Sequence, residues 1–238
     1  MTNMKNFRNV DRLVFPLDLP DWTQASLMAK TLNGHVGWFK VGLELFIAEG
    51  PPVLARLRDL APDTKIFLDL KLHDIPATVG QAMSSAARLG ADLITVHAQG
   101  GTAMLRAAVE KAGNTKVLAV TVLTSLNPAE MTELAPEVRQ PGALVSHLAG
   151  QAISAGCHGL VASGHEVASL RQKFGPEPLL VIPGIRPAWV QVSGDDQKRT
   201  ATPAEAVRDG ADLLVIGRPI RDAANPAEAA DRIIAELS

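Results

Sequence analysis

Along the whole chain, apolar runs of strand length alternate with stretches whose apolar residues recur at helical spacing. The runs predict eight strands, over 13–17, 36–41, 65–70, 93–96, 117–122, 159–162, 179–182 and 213–216. The helical patterns between them have readable ends. Asp21 precedes one that runs to Leu32, Pro52 opens one that runs to Leu60, and Thr202-Pro203 supplies an N-cap and first helical residue ahead of Glu205. Two segments echo each other, LGADLITVH at 89–97 and DGADLLVIG at 209–217, and Gly156 opens a looser third copy. In each, a glycine suits the position after a helix, a short turn follows, and an apolar strand ends on a polar residue or glycine. Strands that alternate with helices pair in parallel, and eight such units in 238 residues predict one α/β domain over 1–238, a closed (β/α)8 barrel. An open doubly wound sheet is the alternative.

Composition narrows the setting. With 47% hydrophobic residues the chain can bury a sizeable core; its net charge is −2, and its 23 basic residues are scattered along the sequence. No basic stripe marks a nucleic-acid partner, and no run approaches the roughly 18 apolar residues that a membrane span needs. The N-terminal MTNMKNFRNV has no apolar h-region. The single cysteine, Cys157, excludes an internal disulfide and fits a reducing, cytoplasmic setting. GxGxxG, Walker A and GxSxG patterns are absent, which argues against nucleotide-cofactor, NTPase and serine-hydrolase chemistry.

The third strand carries charge where a core should continue: FLDLKLHDIP, 67–76. Residues two apart share a strand face, so Asp69 and Lys71 face the barrel axis with Phe67 while the leucines meet the helices. They lie about 7 Å apart along the strand, at the C-terminal rim where barrel active sites sit. Asp74 lies roughly 10 Å further on if the chain stays extended, and need not reach the same pocket in its own subunit. A self-satisfied structural ion pair is the plain alternative. Asp18 after the first strand and Lys40 in the second weigh against it, since desolvating several ionised groups costs several kcal/mol each unless they pair. A second constellation suits phosphate. IGRPI at 216–220 offers the backbone N–H groups of Gly217 and Arg218 at a short helical turn, with the Arg218 guanidinium beside them. The polar loop at about 183–200, with glycine and proline at its shoulders, reads as a lid or, equally, as a solvated connection.

Taken together, LD at 17–18, FKVG at 39–42, DLKLHDIPAT at 69–78, VHAQGG at 96–101, LTS at 123–125, PGIRP at 183–187, DDQKR at 195–199 and IGRPI at 216–220 resemble the orotidine 5′-monophosphate decarboxylase family of the bacterial type. Pro16, where that family often has alanine, and a slightly long loop around 189–193 are departures. The resemblance implies loss of CO2 from orotidine 5′-monophosphate (OMP) to give UMP, with no metal or organic cofactor. It implies Lys71 as proton donor to C6 of the pyrimidine, Asp69 beside the departing carboxylate, and Lys40 and Asp74 completing the charged array. It further implies Asp18 and Lys40 at the ribose, Thr124 or Ser125 at the base, and Arg186, Gln197, Gly217 and Arg218 at the phosphate. Asp74 and Thr78 would cross into a neighbour's site in a homodimer.

Other conspicuous residues invite plainer readings. His73 points outward by parity, Cys157 beside His158 suits a small buried thiol, and Gly100-Gly101 suffices as a turn into the next helix. Six histidines without paired spacing suggest no metal site. Two rival functions stand beside the decarboxylase. One is a sister barrel using a metal-stabilised enediolate; those relatives place an acidic Mg2+ ligand where this chain has Lys40, whose ammonium would repel the ion. The other is a silent phosphosugar-binding barrel.

Overall fold

The structure is a computed structural model that describes residues 7–134, 141–190 and 201–237. Eight parallel strands close on themselves: β1 (Leu13–Pro16), β2 (Trp38–Val41), β3 (Lys65–Leu72), β4 (Leu93–His97), β5 (Lys116–Val120), β6 (Gly159–Val161), β7 (Leu179–Pro183) and β8 (Leu213–Val215). Val14 closes the ring, pairing with Trp38 of β2 on one side and Val215 of β8 on the other. The open-sheet alternative is thereby excluded. All eight expected strands are present with shifted ends. The second starts at Trp38 because Val36 makes only an isolated bridge to Asn33. The fifth stops at Val120, where Thr121 turns both its N–H and its hydroxyl to the Val161 carbonyl.

Side-chain alternation sorts the apolar residues into two layers. Val14, Trp38, Phe67, Leu93, Leu118, Val181 and Leu213 fill the barrel interior. Their neighbours Leu13, Phe15, Phe39, Ile66 and Leu68 pack outward against the helices. The helices start where local chemistry satisfies their first N–H groups. Asp21 accepts from Gln24 N at the head of Trp22–Leu32, and Thr202 with Glu205 forms a capping box ahead of Pro203–Arg208. Among the described residues no helix is long and apolar enough to cross a membrane.

The repeated glycine segments have a structural cause. Gly90, Gly156 and Gly210 all adopt positive φ (76°, 92° and 109°), which turns the chain from a helix into the next strand. Two residues later the side chain accepts a backbone N–H from the preceding strand. Asp92 Oδ2 takes Ile66 N at 2.8 Å, His158 Nδ1 takes Val117 N at 3.1 Å, and Asp212 Oδ2 takes Leu180 N at 2.8 Å. The echo is thus one joint, built three times at the base of the barrel.

Candidate active site

The apolar interior ends one step below the C-terminal rim. In β2 the inward series runs Trp38 then Lys40, and in β3 Phe67 then Asp69, so charged groups stand on an aromatic floor. Above them opens a cavity of about 460 Å³, within the usual range for small-molecule sites. Lys40, Lys71, Arg186, Arg218 and Arg221 line it against Asp18 and Asp69, an excess of cations that suits an anionic ligand.

The charges alternate in contact. Lys40 Nζ lies 2.9 Å from Asp18 Oδ1 and 3.4 Å from Asp69 Oδ2, and Lys71 Nζ donates to the same Asp69 oxygen at 2.8 Å. Lys40 and Asp69 are almost fully buried, at 8% and 7% exposure. Burial opposes the charge on each, and the neighbours outweigh it. Asp69 and Asp18 hold the Lys40 ammonium above the usual lysine range, and Lys40 and Lys71 hold the Asp69 carboxyl below the usual carboxylate range. Both are therefore ionised at neutral pH.

Lys71 reaches this position by an unexpected route. The regular strand that the parity argument assumes breaks here, because Lys71 has φ of 51°, the one positive value among described non-glycine residues. The β3–β4 register slips between Leu68 and Leu72, and the Lys71 N–H turns to the Thr95 hydroxyl at 2.9 Å. The expected neighbourhood of Asp69 and Lys71 holds, through a bulge instead of a continuous strand.

The wall across the cavity comes from β7 and β8. Gly217 and Arg218 line it, and a Cβ on Gly217 would stand 2.9 Å from Pro16 Cγ, so glycine permits the close approach. Arg186 also lines the cavity; its N–H bonds the Ala201 carbonyl at 2.9 Å, which ties the two shoulders of the polar loop together. Gln197 and the rest of 191–200 lie outside the described residues. Thr124 and Ser125 both line the pocket.

Asp74 and Thr78 do not join the cluster of their own chain. Both are exposed, and the Asp74 carboxylate accepts the N–H of Ile75 at 2.6 Å. The expected quartet of Lys40, Asp69, Lys71 and Asp74 is thus three of those residues plus Asp18 within one chain, because the chain has already turned into the helix Pro76–Ala87. His73 is exposed as expected, with its ring 5.4 Å from that of His97. Cys157 is buried, and burial pushes its thiol up to about 12, which suits a packing role. Two residues escaped the sequence reading: Thr95, buried beneath the pocket with its hydroxyl on Asp69, and Arg221, which lines it. Thr95 follows Leu93 on the inward face of β4, so alternation could have found it. Arg221 lies one turn beyond Arg218 in the short helix Arg218–Arg221, so helical spacing could have found it.

Comparison with known proteins bears on this geometry. Residues 11–233 match the family described as orotidine 5′-phosphate decarboxylase / HUMPS family. The chain belongs to this family. It is 51% identical over 228 residues to orotidine 5′-phosphate decarboxylase of Anaeromyxobacter sp. (strain K), covering 95% of this chain and 98% of that one. The enzyme of that name from Paramagnetospirillum magneticum is 49% identical over 230 residues, 93% of this chain and 96% of its own. The crystal structure of orotidine 5′-phosphate decarboxylase from Lactobacillus acidophilus superposes with a TM-score of 0.82 at 36% identity, over 95% of this chain and 98% of that chain. Family membership accords with the order of motifs along the chain.

Proposed function

We propose that the protein decarboxylates OMP to UMP and CO2, the last step of de novo pyrimidine nucleotide synthesis, without a cofactor. The observation that carries the proposal is the alternating Asp18–Lys40–Asp69–Lys71 array, with Lys40 and Asp69 buried at its centre, facing an arginine-lined wall across one cavity. Curated relatives named for this activity, at about half identity over nearly the whole chain, support it.

In this reading Arg218, Gly217 and Arg186 hold the phosphate, Asp18 and Lys40 meet the ribose hydroxyls, and Thr124 or Ser125 meets the base. The substrate carboxylate lies against Asp69. Two like charges about 4 Å apart, at an effective dielectric near 20, repel by about 4 kcal/mol. Enzymes supply roughly 8–23 kcal/mol, so repulsion alone is insufficient. The larger share falls to the Lys71 ammonium, held in place before reaction by Asp69. As the C6–carboxylate bond breaks, its electron pair remains on C6 and CO2 leaves. Lys71 Nζ gives a proton to C6, and the neutral amine regains one from solvent. Phosphate contacts contribute binding free energy that orients the pyrimidine over Lys71.

The remaining parts of the reading concern assembly and setting. Asp74 and Thr78, exposed like the neighbouring Ile75, serve the site of a second copy in a homodimer. The buried single thiol suits the cytoplasm.

Lys71→Ala tests the chemistry. Turnover should fall by about 10⁴-fold, the upper end for general acid catalysis, while UMP still binds. Retained turnover would reject Lys71 as the donor.

A further inference from the structure

Thr95 has no part in the mechanism above, yet it touches both of its central residues. Between the paired positions Leu68↔Ile94 and Leu72↔Val96, the three residues Asp69, Leu70 and Lys71 of β3 face one residue of β4, Thr95. A strand that gains two residues on its partner loses ladder hydrogen bonds there. The Thr95 side chain, 0% exposed, supplies the replacement. Its Oγ1 accepts from Lys71 N at 2.9 Å and donates to Asp69 Oδ1 at 2.9 Å.

The direction of these bonds matters. The hydroxyl carries one proton; by receiving the Lys71 amide it directs that proton to Asp69, and bonds in such a chain polarise one another. Asp69 Oδ1 is then committed to Thr95, which leaves Oδ2 to face Lys71 Nζ at 2.8 Å and Lys40 Nζ at 3.4 Å. The same contact anchors the Lys71 backbone at φ 51°. We infer that Thr95 is a positioning residue for the reaction, one hydroxyl that fixes the backbone origin of Lys71 and the rotation of the Asp69 carboxylate together. The inference rests on the proposed decarboxylation.

A hydroxyl that merely satisfied buried neighbours would affect folding and leave the chemistry of the folded protein unchanged. Charged and titratable groups facing Asp69 are Lys40 from β2, Lys71 from β3 and His97 from the end of β4, with Asp18 behind Lys40. Thr95 adds the one neutral donor among those that hold the Asp69 carboxyl low. Its loss should therefore raise that carboxyl and move the acidic limb of kcat/KM to higher pH.

The test compares wild type, Thr95→Val and Thr95→Ser with OMP, and follows amide exchange at Lys71. For Thr95→Val, kcat should fall about 10- to 100-fold, as expected for one hydrogen bond to a charged group, with KM changed less than about threefold. The acidic limb should shift upward and Lys71 amide protection should drop. Thr95→Ser, which keeps the hydroxyl, should restore kcat, limb and protection. If the isostere fails to fold, Thr95→Ala against Thr95→Ser gives the same comparison. A Thr95→Val protein with wild-type kcat and an unshifted limb overturns the inference while leaving the decarboxylase reading intact. A wild-type protein without turnover overturns both.

Discussion

At Lys71 a left-handed backbone, a buried carboxylate and an ammonium meet, and the strain is of order 1–3 kcal/mol for a residue that is not glycine. Parity along the strand was enough to bring Lys71 and Asp69 to one face, because both the regular and the bulged path return the side chain inward. Parity could not show the bulge, since φ is a property of backbone pairing that no residue type here announces. Gly42 shows the same crowding from the other side. A Cβ there would stand 2.7 Å from Asp18 Oδ1 and 3.0 Å from Lys40 Nζ. Gly42→Ala should fold, because both obstacles are ends of movable side chains, but should raise KM for OMP by about tenfold by separating the pair. An unchanged KM would show that Asp18 and Lys40 are not held at the ribose. His97 sets a pH response. Burial, then repulsion from His73 and Lys71, holds its imidazole below the usual histidine range. The unfolded chain binds that proton first, so stability should fall as pH drops below about 6.5, the unfolded value, towards the lower folded one. Thermal unfolding across pH 5–7 should show this slope, flattened in His97→Gln; an equal slope in both proteins would assign it elsewhere.

Among the elements, the helix-to-strand joints were readable as glycine signals, and their positive φ values follow from the residue type. What the aspartates at 92 and 212 do was not readable, because their partners Ile66 and Leu180 lie in strands that are distant in sequence. Asp212 also receives Arg171 Nη2 at 2.7 Å, while Arg171 Nη1 donates to the Gly175 and Pro178 carbonyls. Asp212→Ala should therefore cost about 2–4 kcal/mol of stability, measured by urea denaturation, with kcat unchanged at a permissive temperature. A kcat loss in the folded variant would mean that the base of the barrel bears on the site. Strand ends were the least legible feature. Val36 and Thr121 are strand formers by type, yet a local bridge to Asn33 holds the first and a hydroxyl bond to the Val161 carbonyl the second outside the regular ladder.

For the whole molecule, the count of βα units made the closed barrel legible, and the order of motifs made the family legible. The array needed the closed ring to become a contact. Asp18, Lys40, Asp69 and Thr95 come from or follow four consecutive strands, β1 to β4, and meet only because those strands tilt around one axis. The shared site proposed for a homodimer has its own consequence. Co-expressed Lys71→Ala and Asp74→Ala chains should recover about a quarter of wild-type activity, because half of randomly paired dimers are mixed and each holds one intact site. No recovery would place Asp74 in the service of its own chain. The most direct measurement of all is the loss of OMP absorbance on mixing with the purified protein, with and without EDTA. Decarboxylation at equal rate in both is the predicted result; no turnover, or turnover that EDTA abolishes, would contradict a cofactor-free decarboxylase built on Lys71.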